Sequence, residues 1–187
     1  MQVYLIRHTT PNIAKGICYG QTDMEVNQTL FEEELNIVKN KLPQNIEQFY
    51  TSPLKRCKIL TENLTTNFIE SNNLMEMNFG DWEYKKWDEI AGKEFEKWME
   101  NFVDTKTPNG ENFIELSNRT NIFLEEIFQK EYKSIAIVTH AGNIRSIMCN
   151  ILGLPLENAF RIELGYGAVV LIKMEKNLNM CKLLSVN

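Results

Sequence analysis

Two histidines occur among the 187 residues, His8 and His140, and each stands directly behind an apolar run: VYLI then Arg7 and His8, SIAIVT then His140. Two imidazoles in equivalent places point to a shared site. A zinc centre needs three or four ligands at recognisable spacing, and two histidines with scattered cysteines offer none, so no metal and no cofactor are expected. Arg7 adjoins the first histidine. Arg56 falls in the first turn of a helix that Ser52 and Pro53 open in YTSPLKRCKILTE, where free backbone N–H groups and the helix dipole favour an anion. Guanidinium forks match phosphate oxygens. A histidine between arginines is pushed toward its neutral form by like charge, and a neutral imidazole is a nucleophile toward phosphorus. The arginines and the second histidine would then stabilise the equatorial oxygens during in-line attack. A general acid must protonate the leaving oxygen. LMEMNFGDWE offers Glu76, Asp81 and Glu83 in a Trp- and Phe-rich segment that favours a neutral acid, and spacing does not choose among them. Lys55 and Lys58 read as solvated surface residues, and Arg145, one turn into the helix after His140, is open between surface and site.

The elements that must position these groups follow from periodicity. Residues 3–6 form one buried strand, and SIAIVTH repeats its pattern. Leu30 to Leu42 has helical spacing with acids early, lysines late and Pro43 beyond. IEQFYT reads as a second strand, with Ser52 as the N-cap of the next helix and Leu54, Cys57 and Leu60 or Ile59 facing inward. The acidic, Trp-rich middle predicts a helix from Glu83 to Phe102. TPNGEN is a turn, and a long helix runs from Glu111 to about Lys130. AGNIRSIMCNIL is helical, while RIELGYGAVVLIKM and MCKLLSVN read as closing strands. This alternation predicts an α/β three-layer sandwich, a mostly parallel central sheet with helices on both faces, as one domain over 1–187. Ligands of such sheets bind beyond the carboxyl ends of the strands, where Arg7-His8, Ser52 to Arg56, and His140 would converge.

Composition narrows the partners. With 20 Lys and Arg against 25 Asp and Glu the net charge is −5, which argues against a nucleic-acid or anionic-lipid surface, so an anionic ligand must be held in a local pocket. Apolar runs are too short to cross a bilayer and no leader pattern opens the chain, so a cytoplasmic protein without membrane attachment is expected. Cys18, Cys57, Cys149 and Cys181 form no CxxC pair and read as reduced thiols in or near the core.

LIRHTTP, YTSPLKRCKILTE, LMEMNFGDWEYKKWDEI, PNGENFIELSNRTNIFLEEI and IAIVTHAGNIRSIM resemble, in order, five motifs of the histidine phosphatase superfamily, phosphoglycerate-mutase-like branch. The resemblance covers essentially the whole chain. It implies a metal-independent phosphomonoesterase in which His8 is phosphorylated, Arg7, Arg56 and His140 complete the phosphate pocket, and Glu76 is the proton donor, with Asp81 and Glu83 as scaffold or rim. Thr9 replaces the glycine of the family's Arg-His-Gly signature. Ala14 stands where many members carry an asparagine that touches phosphate, a place Asn12 would have to fill. RHTTP followed by GICYGQTD resembles a bacterial subgroup described as α-ribazole-5′-phosphate phosphatases, of cobalamin nucleotide-loop assembly. The partner implied is a small phosphorylated metabolite. Thr9, Tyr19, Gly20, Gln21, Thr22 and Ala141 form the expected substrate-binding set, the segment 19–22 following His8 closely enough to fold over the site. Trp82, Tyr84 and Trp87 are either core or a stacking surface for an aromatic leaving group. The alternatives are a broad-specificity sugar-phosphate phosphatase, a phosphoglycerate mutase, or a phospho-ligand binding module without catalysis, against which the intact Arg7, His8, Arg56, Glu76 and His140 weigh. Oligomeric state is not legible.

Overall fold

A computed structural model describes residues 1–175 and 180–186. The strands are β1 (Gln2–Arg7), β2 (Gln48–Thr51), β3 (Phe68–Glu70), β4 (Ser134–Thr139), β5 (Val169–Lys173) and β6 (Lys182–Val186); the helices are α1 (Gln28–Lys41), α2 (Lys55–Glu62), α3 (Trp87–Ile90), α4 (Lys93–Glu100), α5 (Phe113–Phe128) and α6 (Ala141–Leu152). One sheet has the order β3-β2-β4-β1-β5-β6. Its first four members run parallel, while β5 and β6 are antiparallel additions at one edge. Along β1, Val3 and Leu5 pack with Phe123, Leu124, Ile144 and Ile147 of α5 and α6. Tyr4 and Ile6 pack on the other face with Phe31, Leu35, Cys57 and Leu60 of α1 and α2. This period-two alternation, apolar on both sides, is what three layers require of a central strand.

Register sets the site. Arg7 pairs with Thr139 across the β1/β4 ladder, and Thr51 with Val138 across β2/β4. Three carboxyl ends therefore finish at one level, and the next residues are His8, His140 and Ser52.

Several helix limits differ from expectation for definable reasons. α1 starts at Gln28 because the Asn27 side chain accepts from the Thr29 and Leu30 N–H groups. α2 starts at Lys55, and its N-cap is Leu54 rather than Ser52: the Ser52 hydroxyl accepts from Leu54 N–H only at 3.4 Å and lies closer, at 2.8 Å, to His140 Nε2. The helix expected over 83–102 is broken into α3 and α4: Tyr84 has φ 67° and Gly92 φ 152°, values outside the helical region. The segment instead folds onto itself as an aromatic cluster of Phe79, Trp82, Trp87, Phe95 and Trp98. α5 is shorter at both ends than expected and opens on a capping box between Asn112 and Glu115. β3, with two of its three residues exposed, gave no apolar signal in the sequence. The closing strands are confined to β5 and β6, and Asn187 lies outside the described residues. Among the described residues no helix is long and apolar enough to cross a membrane.

One ion pair ties α5 to the segment preceding the aromatic cluster. Arg119 donates from Nε and Nη2 to the two Glu111 carboxylate oxygens at 2.9 and 3.0 Å. It also donates to the carbonyls of Asn73, Met75 and Glu76 at 3.0, 2.6 and 2.9 Å. Each carbonyl is thereby satisfied where no helix or strand would do so. Arg119→Met removes the donors and leaves Glu111 half-buried and unpaired. It is expected to lower the unfolding free energy by about 2–4 kcal/mol, read from urea denaturation with an unchanged slope.

Candidate active site

His8 follows β1 and is buried, its N–H donating to Thr139 O at 3.0 Å so that the backbone pairing of β1 and β4 continues through it. Its Nδ1 lies 2.7 Å from Thr9 O. A carbonyl only accepts, so Nδ1 carries the proton and Nε2 keeps its lone pair. His140 is the N-cap of α6 and is also buried. Its ring centroid is 5.0 Å from that of His8, and its Nε2 meets Ser52 Oγ at 2.8 Å and Cys57 Sγ at 3.4 Å.

Both imidazoles are held neutral. Burial, then the charges of Arg56 and Arg7, pushes His8 well below the ordinary imidazole range, against the smaller opposing pull of the Thr9 carbonyl. Burial, then Arg56, His8, Arg119 and Arg7, does the same to His140. The Cys57 thiol beside it is pushed up to about 12 by burial, so it stands there as a neutral thiol rather than a thiolate.

Arg56 is 0 % exposed. It donates from Nη1 to Thr22 O at 2.9 Å and from Nη2 to Gly20 O at 2.5 Å. Arg7 donates from Nη1 to Leu164 O at 2.5 Å. Nε of each arginine and Thr9 Oγ1 are buried without a hydrogen-bond partner among the described residues. Orphaned buried donors are uncommon, and three around one buried imidazole suit an anion with several acceptor oxygens.

Glu76 accepts from Met77 N–H at 3.0 Å on Oε1 and from Gly142 N–H at 3.2 Å on Oε2. The carboxylate thus reaches the first turn of α6, two residues past His140. Gly142 leaves room for the carboxylate there, because a Cβ would displace Glu76 Oε1 from this position. Ala141, buried at the first position of α6, lies between His140 and this contact. The segment expected to fold over the site does so. Tyr19 lies with its ring over Arg56, 5.4 Å from Cζ to centroid, and Gly20 is buried against Met77 O, Phe79 and Glu83. Gln21 donates from Nε2 to Glu76 O at 3.1 Å, and the Thr22 hydroxyl donates to Glu83. Glu83 also accepts from the N–H groups of Gln21, Thr22 and Phe79 at 2.9, 2.6 and 3.1 Å. It is a strut for the loop. Asp81, exposed and bonded to Asn109, is on the rim.

Other residues stay outside. Asn12 and Ala14 are exposed, and Trp82 and Trp87 belong to the aromatic cluster. Lys55 and Lys58 pair on the surface with Glu25 and Glu70. Arg145 instead borders the site: its guanidinium lies over Phe160, its Nε donates to Ile162 O at 3.0 Å, and the charges of Glu76 and Arg7 act on it. Among the described residues no group of three or more His, Cys, Asp or Glu could hold a metal ion.

Two further residues at the site were not singled out from the sequence, although Arg119 lies in the PNGENFIELSNR stretch that resembles a family motif. Tyr166 lies over Arg7 with Cζ 4.0 Å from its ring centroid, and its only flag was the flanking glycines of GYG. Arg119 supports the Glu76 backbone, and its link to Glu111, two helical turns away, needed the fold to become visible.

Residues 3–187 match the family model of the histidine phosphatase superfamily (branch 1). A Hydrogenobacter thermophilus protein named as a candidate phosphoserine phosphatase is 28% identical over 182 residues, spanning 93% of this chain and 90% of its own length. The fold is shared with the alpha-ribazole phosphatase of Shigella flexneri, at TM-score 0.90 and 21% identity over 100% of this chain and 96% of that one. It is shared also with a phosphoserine phosphatase from Entamoeba histolytica solved with 3-phosphoglyceric acid, at TM-score 0.84 and 22% identity over 100% and 96%. The match extends over both histidine-bearing strand ends and the loops between them, and the chain belongs to branch 1 of the histidine phosphatase superfamily.

Proposed function

We propose that this chain hydrolyses small phosphomonoesters through a phosphohistidine on His8. The observation that carries the reading is the Nδ1 contact of buried His8 to the Thr9 carbonyl, 2.7 Å, which leaves a neutral Nε2 lone pair among Arg7, Arg56 and His140. Nε2 attacks phosphorus in line, a P–N bond forms and the ester P–O bond breaks. Arg7 and Arg56, with their unpartnered Nε groups, and His140 bind the equatorial oxygens. Glu76 gives its proton to the leaving alcohol. It then takes one from the water that attacks the phosphohistidine, which releases phosphate and restores Nε2. The Thr9 hydroxyl, buried and unpartnered, is a further donor to the phosphoryl group. Glu83 and Arg119 fix the loop and the acid without touching the ester.

For the alcohol part, α-ribazole 5′-phosphate is supported by the RHTTP and GICYGQTD stretches, and phosphoserine by the name of the H. thermophilus relative. The commitment of Trp82, buried, and Trp87, half-buried, to the aromatic cluster leaves exposed Tyr84 as the one candidate ring still open to a benzimidazole, which weakens the case for an aryl alcohol. It therefore favours a small polar alcohol of the phosphoserine kind. Steady-state hydrolysis of O-phosphoserine, phosphoglycerates, sugar phosphates and α-ribazole 5′-phosphate tests this. A kcat/KM about a hundredfold higher for one ester, some 2.7 kcal/mol at the transition state, identifies it. A lead for α-ribazole phosphate would reverse the preference, and a flat panel would make the enzyme a generalist.

In the same assay His8→Ala should lower turnover of every ester by at least about 10³ with the fold retained; residual turnover near wild type would remove His8 as nucleophile. Glu76→Gln should slow esters of poor leaving groups by about 10²–10⁴ and p-nitrophenyl phosphate far less, since that leaving group needs little protonation. Equal losses on both would reject Glu76 as the acid. The two neutral imidazoles also predict a pH dependence of stability. Because the folded pKa values lie below the unfolded value of about 6.5, the unfolded chain binds more protons as pH falls through that value, and stability falls with it by up to about 1.4 kcal/mol per pH unit for each histidine. Urea unfolding at pH 7.5 and 5.5 reads the loss, which should be smaller in His8→Ala than in wild type; an equal loss in both would mean that His8 is not kept neutral.

A further inference from the structure

His8 is 2 % and Arg56 0 % exposed, so an ester reaches neither in the conformation described. Two tyrosines stand on the solvent side. The Tyr166 ring lies on Arg7, 4.0 Å from Cζ, and its centroid is 5.6 Å from that of His8. The Tyr19 ring lies on Arg56. Their hydroxyls are 2.6 Å apart and join segments separated by 147 positions in the chain. Together they form a roof that spans both guanidinium groups and the nucleophile.

The two halves of the roof are held unequally. Tyr19 is followed by Gly20, whose carbonyl accepts from Arg56 and whose Cα packs where a Cβ would overlap Met77 O. The next two N–H groups are fixed on Glu83. Tyr166, 37% exposed, stands between Gly165, around which a Cβ would meet nothing within 4 Å, and Gly167 at φ +66°. The Gly167 N–H donates to His8 O and the Ala168 N–H to Gly165 O, each at 3.2 Å, and Leu164 O accepts from Arg7, so the backbone of the turn is held and the motion left to Tyr166 is rotation of its own exposed side chain, beside the open space at Gly165.

We propose that Tyr166 is a specificity-determining gate. It swings away from the fixed Tyr19 to admit the phosphoryl group, and where it comes to rest sets the width left for the alcohol part of the ester. Slim polar alcohols are favoured because they pass under the partly closed roof and give the Tyr19 hydroxyl a new hydrogen-bond partner in place of Tyr166. A flat aryl group does neither. This rests on phosphoryl transfer at His8 and adds how that site selects its ester.

The test compares wild type, Tyr166→Ala and Tyr166→Phe on O-phosphoserine and 1-naphthyl phosphate. Tyr166→Ala is expected to raise the ratio of kcat/KM for the naphthyl ester over phosphoserine by about tenfold or more. A change by the same factor on both esters would overturn the gate and reduce Tyr166 to a support for Arg7. Tyr166→Phe keeps the ring and removes the bridge, so it guards against a misfolded Ala variant. It should release bound vanadate several-fold faster in a stopped-flow chase with phosphate, and unchanged release would count against the gate. Phosphohistidine is measured in parallel after an alkaline denaturing quench, in which the P–N bond survives. Its absence from wild type on both esters would reject the His8 chemistry, while the substrate ratio and the vanadate release still decide the role of Tyr166.

Discussion

A fully buried guanidinium whose protein hydrogen bonds run to carbonyls is the constraint around which this molecule is arranged. Arg56 is held by the carbonyls of Gly20 and Thr22, partial charges that make burial tolerable without cancelling the positive charge. A carboxylate in the same place would form a closed ion pair and leave nothing for an incoming anion. The carbonyls have to come from a loop, the loop has to be rigid, and Glu83 makes it so by accepting from three backbone N–H groups and a hydroxyl. The same positive charge, added to burial, keeps both imidazoles neutral. One electrostatic choice thus sets the loop, the strut beneath it and the protonation state of His8, the nucleophile we propose.

The acid side of the site is built on the opposite plan. Glu76 projects from a segment with no regular secondary structure, and its position comes from outside: Arg119 holds the carbonyls on either side of it, and the Gly142 N–H meets its carboxylate. Positioning through backbone carbonyls leaves the carboxyl free of a fixed cation. The proton-donor role we propose for Glu76 requires its charge to change within each cycle, and a permanent ion pair at its oxygens would oppose one of the two states.

What could be read from the sequence, and what could not, divides along physical lines. His8 and His140 were legible because an apolar run that stops at a polar residue marks the carboxyl end of a buried strand, and the carboxyl ends of neighbouring parallel strands finish together. Arg56 was legible from its place in a helix start. Ser52 was misassigned as an N-cap because its hydroxyl had two possible partners, and the competitor, His140, is 88 positions away. The 83–102 stretch has helical composition, yet aromatic packing and two residues at positive φ divide it. The roles of Tyr166 and of Arg119, which lies within the quoted PNGENFIELSNR stretch, were not legible for the reason Ser52 was misread: each acts through partners that only the fold brings near. Local signals place a group on an element, and long-range ones decide what it touches.

The β1/β4 pairing carries a consequence for how the enzyme comes into being. Gln2 lies opposite Ser134 and Arg7 opposite Thr139, so the strand that presents His8 waits, during synthesis, for a partner more than 130 residues later. Closure of so long a loop comes late in folding. Until it happens the first strand is an unpaired apolar ribbon that carries an exposed, ordinary histidine, with neither the arginine cage nor the depressed proton affinity. The arrangement of arginines and the second imidazole around His8 therefore depends on a pairing that the chain can make only after residue 139 has been synthesised.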